Sequence, residues 1–244
     1  MSFFEGCAFG TLPIMTPPRQ KKALLAWSGG KDAAMALWRL QQDPTVSVVG
    51  LFTTITEGTR RMPIHGVSEA LLKLQADAVG LPLALLALPP NCPNVEYEKR
   101  LGALLFEAKR DLGISAAGFG DLFLKEIRTY RETFLAPMGL APLFPLWGDD
   151  TEAMAQANQR AGFKSRIVSV WQGKIKEEWL ARDFDEAFRA ANRNVDLDPC
   201  GENGEFHTFT YAGPNFKAEI KTAPGEIHTE GPYRWIELAS LRTP

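Results

Sequence analysis

The chain has 244 residues, 45% hydrophobic and 23% charged, with 27 Lys and Arg against 29 Asp and Glu for a net charge of -2. That length buries a sizeable core, as one large domain or one domain with a small annex, and the near-neutral balance offers no basic field of the kind that grips nucleic acid. Cys7, Cys92 and Cys200 lie far apart with no CxxC pair, which argues against a disulfide framework or a zinc cage and for a reducing, cytoplasmic setting.

Residues 1–20, with Pro13, Pro17 and Pro18, read as a flexible leader. Glu5 interrupts their apolar stretches and Arg19, Lys21 and Lys22 follow them, an order unlike a secretory signal. No apolar run reaches the ~20 residues of a membrane span, so no membrane partner is expected. A short apolar strand at 22–27 breaks at Ser28-Gly29-Gly30. A helix follows, with Ala34, Leu37, Trp38 and Gln41 on one face, and Asp43-Pro44 stops it. Residues 46–54 are rich in β-branched side chains and predict a second strand. Val67, Leu71, Leu74 and Ala78 recur at helical spacing up to Gly80, and 81–88 is a third strand candidate.

Asn94 can cap the next helix, which has Glu96 and Glu98 in its first turn, Lys109 and Arg110 in its last, and Gly113 beyond, all in accord with the helix dipole. A strand at 115–120, a helix at 124–136, a strand at 140–146, a helix at 150–161 and a sixth strand at 166–171 continue the rhythm. Strands separated by single helices need right-handed crossovers, so the expected fold is α/β, a doubly wound, mostly parallel sheet spanning 21–172. From 173 to 244 the pattern changes to a turn, a short helix at 183–191 and strand-like stretches at 206–211 and 234–238. This is expected to be a smaller, substrate-binding region.

Ligands of open parallel sheets bind beyond the carboxyl ends of the strands. The first such loop is Ser28-Gly29-Gly30-Lys31-Asp32. Its glycines let the backbone approach an anion at a helix N-terminus, Ser28 adds a hydroxyl, Lys31 a mobile cation, and Asp32 either a Mg²⁺ contact or a loop anchor. It is neither the GxxxxGK[ST] loop nor the GxGxxG turn. The segment resembles the SGGxDS loop of the PP-loop ATP pyrophosphatases. The resemblance implies an adenine nucleotide alpha hydrolase-like (HUP, Rossmann-like) fold that takes ATP and Mg²⁺, releases pyrophosphate and adenylates a second substrate. Ala33 replaces the usual serine, removing one hydrogen bond of about 1 kcal/mol.

Three further stretches, Gly118-Phe119-Gly120-Asp121-Leu122, Leu143-Phe144-Pro145-Leu146-Trp147-Gly148 and Gly201-Glu202-Asn203-Gly204-Glu205-Phe206-His207-Thr208, resemble the diphthine–ammonia ligase-like branch. With the loop, the likeness spans about 22–212. Diphthamide-making members activate a carboxylate with ATP and replace the adenylate with ammonia. The implied partners are therefore ATP, ammonia and a carboxylate on a small molecule or a modified peptide or protein. Asn203 and His207 stand where that branch has glycine and glutamate, which marks a different subgroup.

Several residues carry two readings. Gly120 permits close approach of a ligand, and Asp121 either meets a ribose hydroxyl, a metal or an amine, or merely ends a strand and caps a helix. Glu202, Asn203 and Glu205 form either a substrate site, with the two glutamates as catalytic groups, or a solvated turn. His65 either contacts the base or a phosphate or is an ordinary loop residue. Arg128 and Arg131 either meet anions or are surface charges. Cys200 is a weak nucleophile candidate with only His207 near in sequence, His228 has no context, and Trp171, Trp179 and Trp235 read as packing residues. Acting on another small metabolite or an RNA base, or sensing adenine nucleotide without turnover, are the alternatives to amide formation. A homodimer is left open.

Overall fold

The computed structural model describes residues 20–241, so the proposed leader and Cys7 lie outside the described residues. Five strands, β1 (Lys21–Ala26), β2 (Val46–Thr56), β3 (Leu83–Leu88), β4 (Ala116–Gly118) and β5 (Ala141–Leu143), form a parallel sheet in the order β3-β2-β1-β4-β5. The crossovers carry helices α1 (Lys31–Gln42), α2 (Glu69–Val79), α3 (Asn94–Leu112) and α4 (Lys125–Leu135). Successive residues of β1 bury on opposite faces. Ala23, Leu25 and Trp27 join the larger core with α1 and α2, whereas Leu24 joins the one built from Phe52, Leu101, Leu105, Phe119 and Leu135.

Local chemistry sets the helix ends. Ser68 accepts a hydrogen bond from the Leu71 amide at the start of α2, and Gly80 closes that helix at φ 73°, a left-handed turn that glycine adopts without strain. Asp150 caps α5 (Thr151–Arg160), and Asp185 caps α6 (Glu186–Asn192). Pro93, rather than Asn94, precedes the first turn of α3.

A second, antiparallel sheet has the order β7-β6-β9-β8, with β6 (Lys164–Trp171), β7 (Phe206–Ala212), β8 (Thr222–Glu230) and β9 (Tyr233–Ser240). The sixth strand therefore does not extend the parallel sheet. After α5 the chain leaves it, and β6 pairs with β7 and β9 instead. The strand β8 escaped the sequence reading because Pro224-Gly225 looks like a turn. It survives as an edge strand with a register shift between Pro224 and Ile227, where proline is tolerated.

The two sheets meet at the first loop of the parallel one. The Thr210 amide donates to the Gly29 carbonyl at 2.8 Å, and the Lys31 amide donates to Thr208 Oγ1 at 3.0 Å. Gln75, completely buried on α2, donates to the Gly29 and Thr210 carbonyls at 2.8 and 2.7 Å and accepts from Trp27 Nε1 at 3.0 Å.

Candidate functional site

A cavity of about 370 Å³ opens beyond the carboxyl ends of β1, β2 and β4. It lies where the strand order turns from β2-β1 to β4-β5, the crevice in which doubly wound sheets take ligands. Ser28, Gly30, Lys31, Asp32, His65, Gly120, Asp121, Glu202 and His207 all line it. Gly29, Arg128, Asn203 and Glu205 are not among its lining residues.

The loop is tightly built. Gly29 sits at φ 72°, and a Cβ there would lie 2.6 Å from Gln75 Oε1, so only glycine fits. The amide of Gly30 donates to Ser28 Oγ at 3.3 Å. Gly30 supplies no side-chain cap to α1, and the Thr208 hydroxyl takes that role from β7. Gly120, two residues beyond β4, lies against the first turn of α1; an added Cβ would stand 3.2 Å from the Asp32 carbonyl carbon.

Lys31 is not the mobile cation expected. It is 2% exposed, and its Nζ donates to Asp32 Oδ2 at 2.6 Å and to the Cys200 carbonyl, with the Phe184 and Phe206 rings 5.4 and 5.5 Å away. Burial pulls its pKa down, but Asp32, through its charge and hydrogen bond, together with the neighbouring Cys200 and Glu202 outweighs this and holds the ammonium above the usual lysine value. It is a fixed charge that ties the 28–32 loop to the 198–205 loop.

The expected acidic pair is split. Glu202 reaches the cavity and accepts from the Leu122 amide at 2.8 Å through Oε1. Burial pushes its carboxyl up to about 7; Asp32 and Asp121 add to the rise and the Leu122 amide opposes it. Glu205, 1% exposed, accepts from the Asp198 amide at 2.9 Å and from Asn203 Nδ2 at 3.3 Å, so it braces the loop, with Asn203 as its partner. Asp198 completes that brace by accepting from the amides of Cys200 and Glu202 at 2.9 and 3.0 Å.

Asp121 is held by Arg131, Nε to Oδ2 at 2.6 Å and Nη2 to Oδ1 at 3.2 Å, and both residues line the cavity. Arg128 points its guanidinium over Phe144 and Trp147 at 5.0 and 4.7 Å and pairs with Glu132 at 2.7 Å, so its partners belong to the protein surface. The Cys200 thiol donates to the Thr151 carbonyl at 3.2 Å, and burial pushes it up to about 12, which leaves no thiolate nucleophile. His228 stacks on Trp235 at 4.3 Å, away from the cavity.

Beside the loop the cavity is apolar and aromatic, lined by Ala26, Trp27, Phe52, Met62, Tyr97 and Phe119. Thr53 also lines it, and its Oγ1 is buried with no hydrogen-bond partner among the described residues. The sequence reading missed Thr53, Thr208 and Gln75. Gln75 carried a signal, a lone polar residue four positions after Leu71 on the apolar face of a helix.

Among the described residues no three His, Cys, Asp or Glu side chains are grouped to hold a metal by themselves. Asp32 and Glu202 nevertheless suit Mg²⁺ arriving on phosphates, since that ion is commonly held by one or two carboxylates plus substrate oxygens. No helix of the described residues is long and apolar enough to cross a membrane.

The family model of the diphthamide synthase N-terminal domain matches residues 21–142, and that of the diphthamide synthase C-terminal domain matches residues 150–240. The chain is similar to a protein of Danio rerio named diphthine–ammonia ligase, 25% identical over 195 residues covering 72% of this chain and 76% of that one. A protein of the same name from Bos taurus is 24% identical over 190 residues, covering 72% and 71%. One from Schizosaccharomyces pombe is 24% identical over 130 residues, covering 51% of this chain and 22% of that protein.

Proposed function

The chain belongs to the family of the diphthamide synthase domains, and from that premise we propose that it is a ligase that cleaves ATP to AMP and pyrophosphate to activate a carboxylate for amidation by ammonia. The observation that carries this reading is the convergence of three loops on one cavity. Ser28–Asp32 after β1, Gly120-Asp121 after β4 and the Glu202 loop before β7 meet where the strand order reverses. The named relatives, diphthine–ammonia ligases, supply the reaction type.

In this reading the adenine enters the apolar end, against Phe52 and Phe119, with Thr53 Oγ1 as the hydrogen-bonding group for the base. The phosphates lie over the 28–32 loop at the positive end of α1, with Lys31 as a fixed charge beneath. Asp32 and Glu202, on the same cavity, are the carboxylates that would hold Mg²⁺, which when bound would supply charge neutralisation for the leaving pyrophosphate.

The substrate carboxylate oxygen attacks the α-phosphorus, and the bond from that phosphorus to the β-phosphate bridging oxygen breaks. Ammonia nitrogen then attacks the acyl carbon, and the carbon–oxygen bond to AMP breaks. The surplus proton on nitrogen passes to Glu202, whose raised pKa suits a base working near neutrality. Positioning and charge neutralisation supply most of the acceleration.

The test is ammonium dependence. Purified protein, ATP and Mg²⁺ are combined with fractions of a cell extract, with and without ammonium, and AMP is followed. AMP formation that needs both an extract fraction and ammonium supports amidation. AMP formation indifferent to ammonium would move the reading to another transfer from ATP.

A further inference from the structure

The cavity wall beside the 28–32 loop carries two histidines to which the amidation mechanism gives no role; one of them, His207, directly precedes the Thr208 that caps the Lys31 amide. His65, on the loop after β2, and His207, on β7, lie in contact with ring centroids 4.1 Å apart and planes tilted by 38°, and both line the cavity. His207 Nε2 is buried and has no hydrogen-bond partner among the described residues. Buried polar atoms are paired in nearly all folded proteins, so an unpaired one on a cavity wall is a place for a ligand.

The tautomer of His65 follows from its neighbour. Its Nδ1 lies 3.1 Å from the Pro63 carbonyl, which can only accept, so Nδ1 carries the proton and Nε2 is left as an acceptor. The wall thus offers one acceptor, on His65, and one ring nitrogen on His207 that donates or accepts according to its tautomer.

The wall is fixed in advance. Ile64, next to His65, has φ 65°, a left-handed conformation that a β-branched side chain adopts only under constraint. The constraint is visible: Arg61 donates to the Gly66 carbonyl at 2.9 Å and to Glu237 on β9 at 2.6 Å, and Gly66 lies flat against the Trp235 ring with no room for a Cβ. Strain held this way next to a cavity residue is typical of a recognition site.

Charge narrows the ligand. Burial lowers the His65 pKa to about 4 and that of His207 well below its usual value, so both rings are neutral near pH 7. A neutral pair does not attract phosphate and gives a cation no counter-charge. No third His, Cys, Asp or Glu completes a metal site among the described residues. With the His207 proton placed on Nε2, what fits is a planar, uncharged group with one donor and one acceptor.

Resting on the amidation reading, we propose that the His65–His207 pair is the recognition site of the second substrate and selects a carboxylic acid that carries an amide. The amide N–H donates to His65 Nε2, and the amide oxygen accepts from His207 Nε2–H. The carboxylate is thereby turned toward the α-phosphate position over the 28–32 loop.

The test uses the full chain with its histidine rings labelled for NMR. It is titrated separately with N-acetylglycine, acetate and tetramethylammonium, with and without a non-hydrolysable ATP analogue. N-acetylglycine is expected to shift both His65 and His207 ring signals at a concentration about tenfold below that needed for acetate, since the amide adds paired hydrogen bonds. H207E is expected to lose this preference and to respond to tetramethylammonium instead, and H207Q to keep part of it. Equal response to acetate and N-acetylglycine, a stronger response to tetramethylammonium in the wild type, or silence from both rings would overturn the proposal. Binding is read without turnover. A protein that passes this test yet makes no ammonia-dependent AMP contradicts the amidation reading alone.

Discussion

The backbone amide of Lys31 donates to the hydroxyl of Thr208 at 3.0 Å across 177 positions of sequence. An α-helix leaves its first amides unpaired, and a neighbouring residue usually caps them. Here Gly30 has no side chain to do so, and the cap comes from the antiparallel sheet. The 28–32 loop and the strand behind the Glu202 loop are consequently one mechanical unit.

Removing that hydroxyl has a defined cost. T208V is expected to lose about 1 kcal/mol of stability, the usual effect of deleting a cap, while T208S retains most of it. Urea unfolding monitored by tryptophan fluorescence reads the difference. An unchanged midpoint for T208V would show that the cap contributes nothing.

Gln75 is a harsher case. Its side chain satisfies the Trp27 indole, the Gly29 carbonyl of the loop and the Thr210 carbonyl of β7 inside the core. Q75L leaves the Trp27 indole unpaired and removes one of the two donors of the Gly29 carbonyl, which keeps the Thr210 amide, at about 1 to 3 kcal/mol for each group left unpaired. The melting temperature is expected to fall further than for T208V, and ATP affinity to fall with it because Gly29 loses one of the two donors that hold its carbonyl. A Q75L protein as stable as the wild type would contradict the role given to this residue.

The parallel sheet was legible because its strands and helices alternate with clear stops, as at Asp43-Pro44, Gly80 and Gly113. The 28–32 turn from β1 into α1 was legible because strand-Ser-Gly-Gly-Lys-Asp-helix is a local pattern. What failed was long-range. Nothing near Lys31 says that its ammonium is buried against the Cys200 carbonyl, and nothing in Glu202-Asn203-Gly204-Glu205 says which carboxylate faces the cavity. Alternation along a strand or turn decides that, and one residue of shift exchanges the faces. Arg128 and Arg131 differ in the same way, three positions apart on one helix, with only Arg131 on the cavity.

Glu202 gives a pH signature. Its carboxyl, ordinarily at 4.5, stands at about 7 in the folded chain, so between these values the folded state binds more protons than the unfolded state. Its contribution to stability therefore falls as pH rises through that window. E202Q, which keeps an acceptor for the Leu122 amide, is expected to gain stability relative to the wild type from pH 4.5 to 7 and to hold the gain above it. Thermal melts across pH check this, and an E202Q protein that is less stable at pH 8 would refute it.

Cys200 gives a chemical one. With its thiol pushed up to about 12 and bonded to the Thr151 carbonyl, it is expected to resist iodoacetamide under native conditions that label the partly exposed Cys92. Peptide mass spectrometry distinguishes the two sites. Rapid labelling of Cys200 would reopen a covalent acyl-thiol route.

The most direct test of the central claim is the identity of the nucleotide products. Protein, ATP and Mg²⁺ are incubated with ammonium and an active extract fraction, and the nucleotides are separated by ion-exchange chromatography with pyrophosphate and phosphate assayed in parallel. The account predicts AMP and pyrophosphate in equal amounts, abolished in D32A. ADP and phosphate as the products would contradict it.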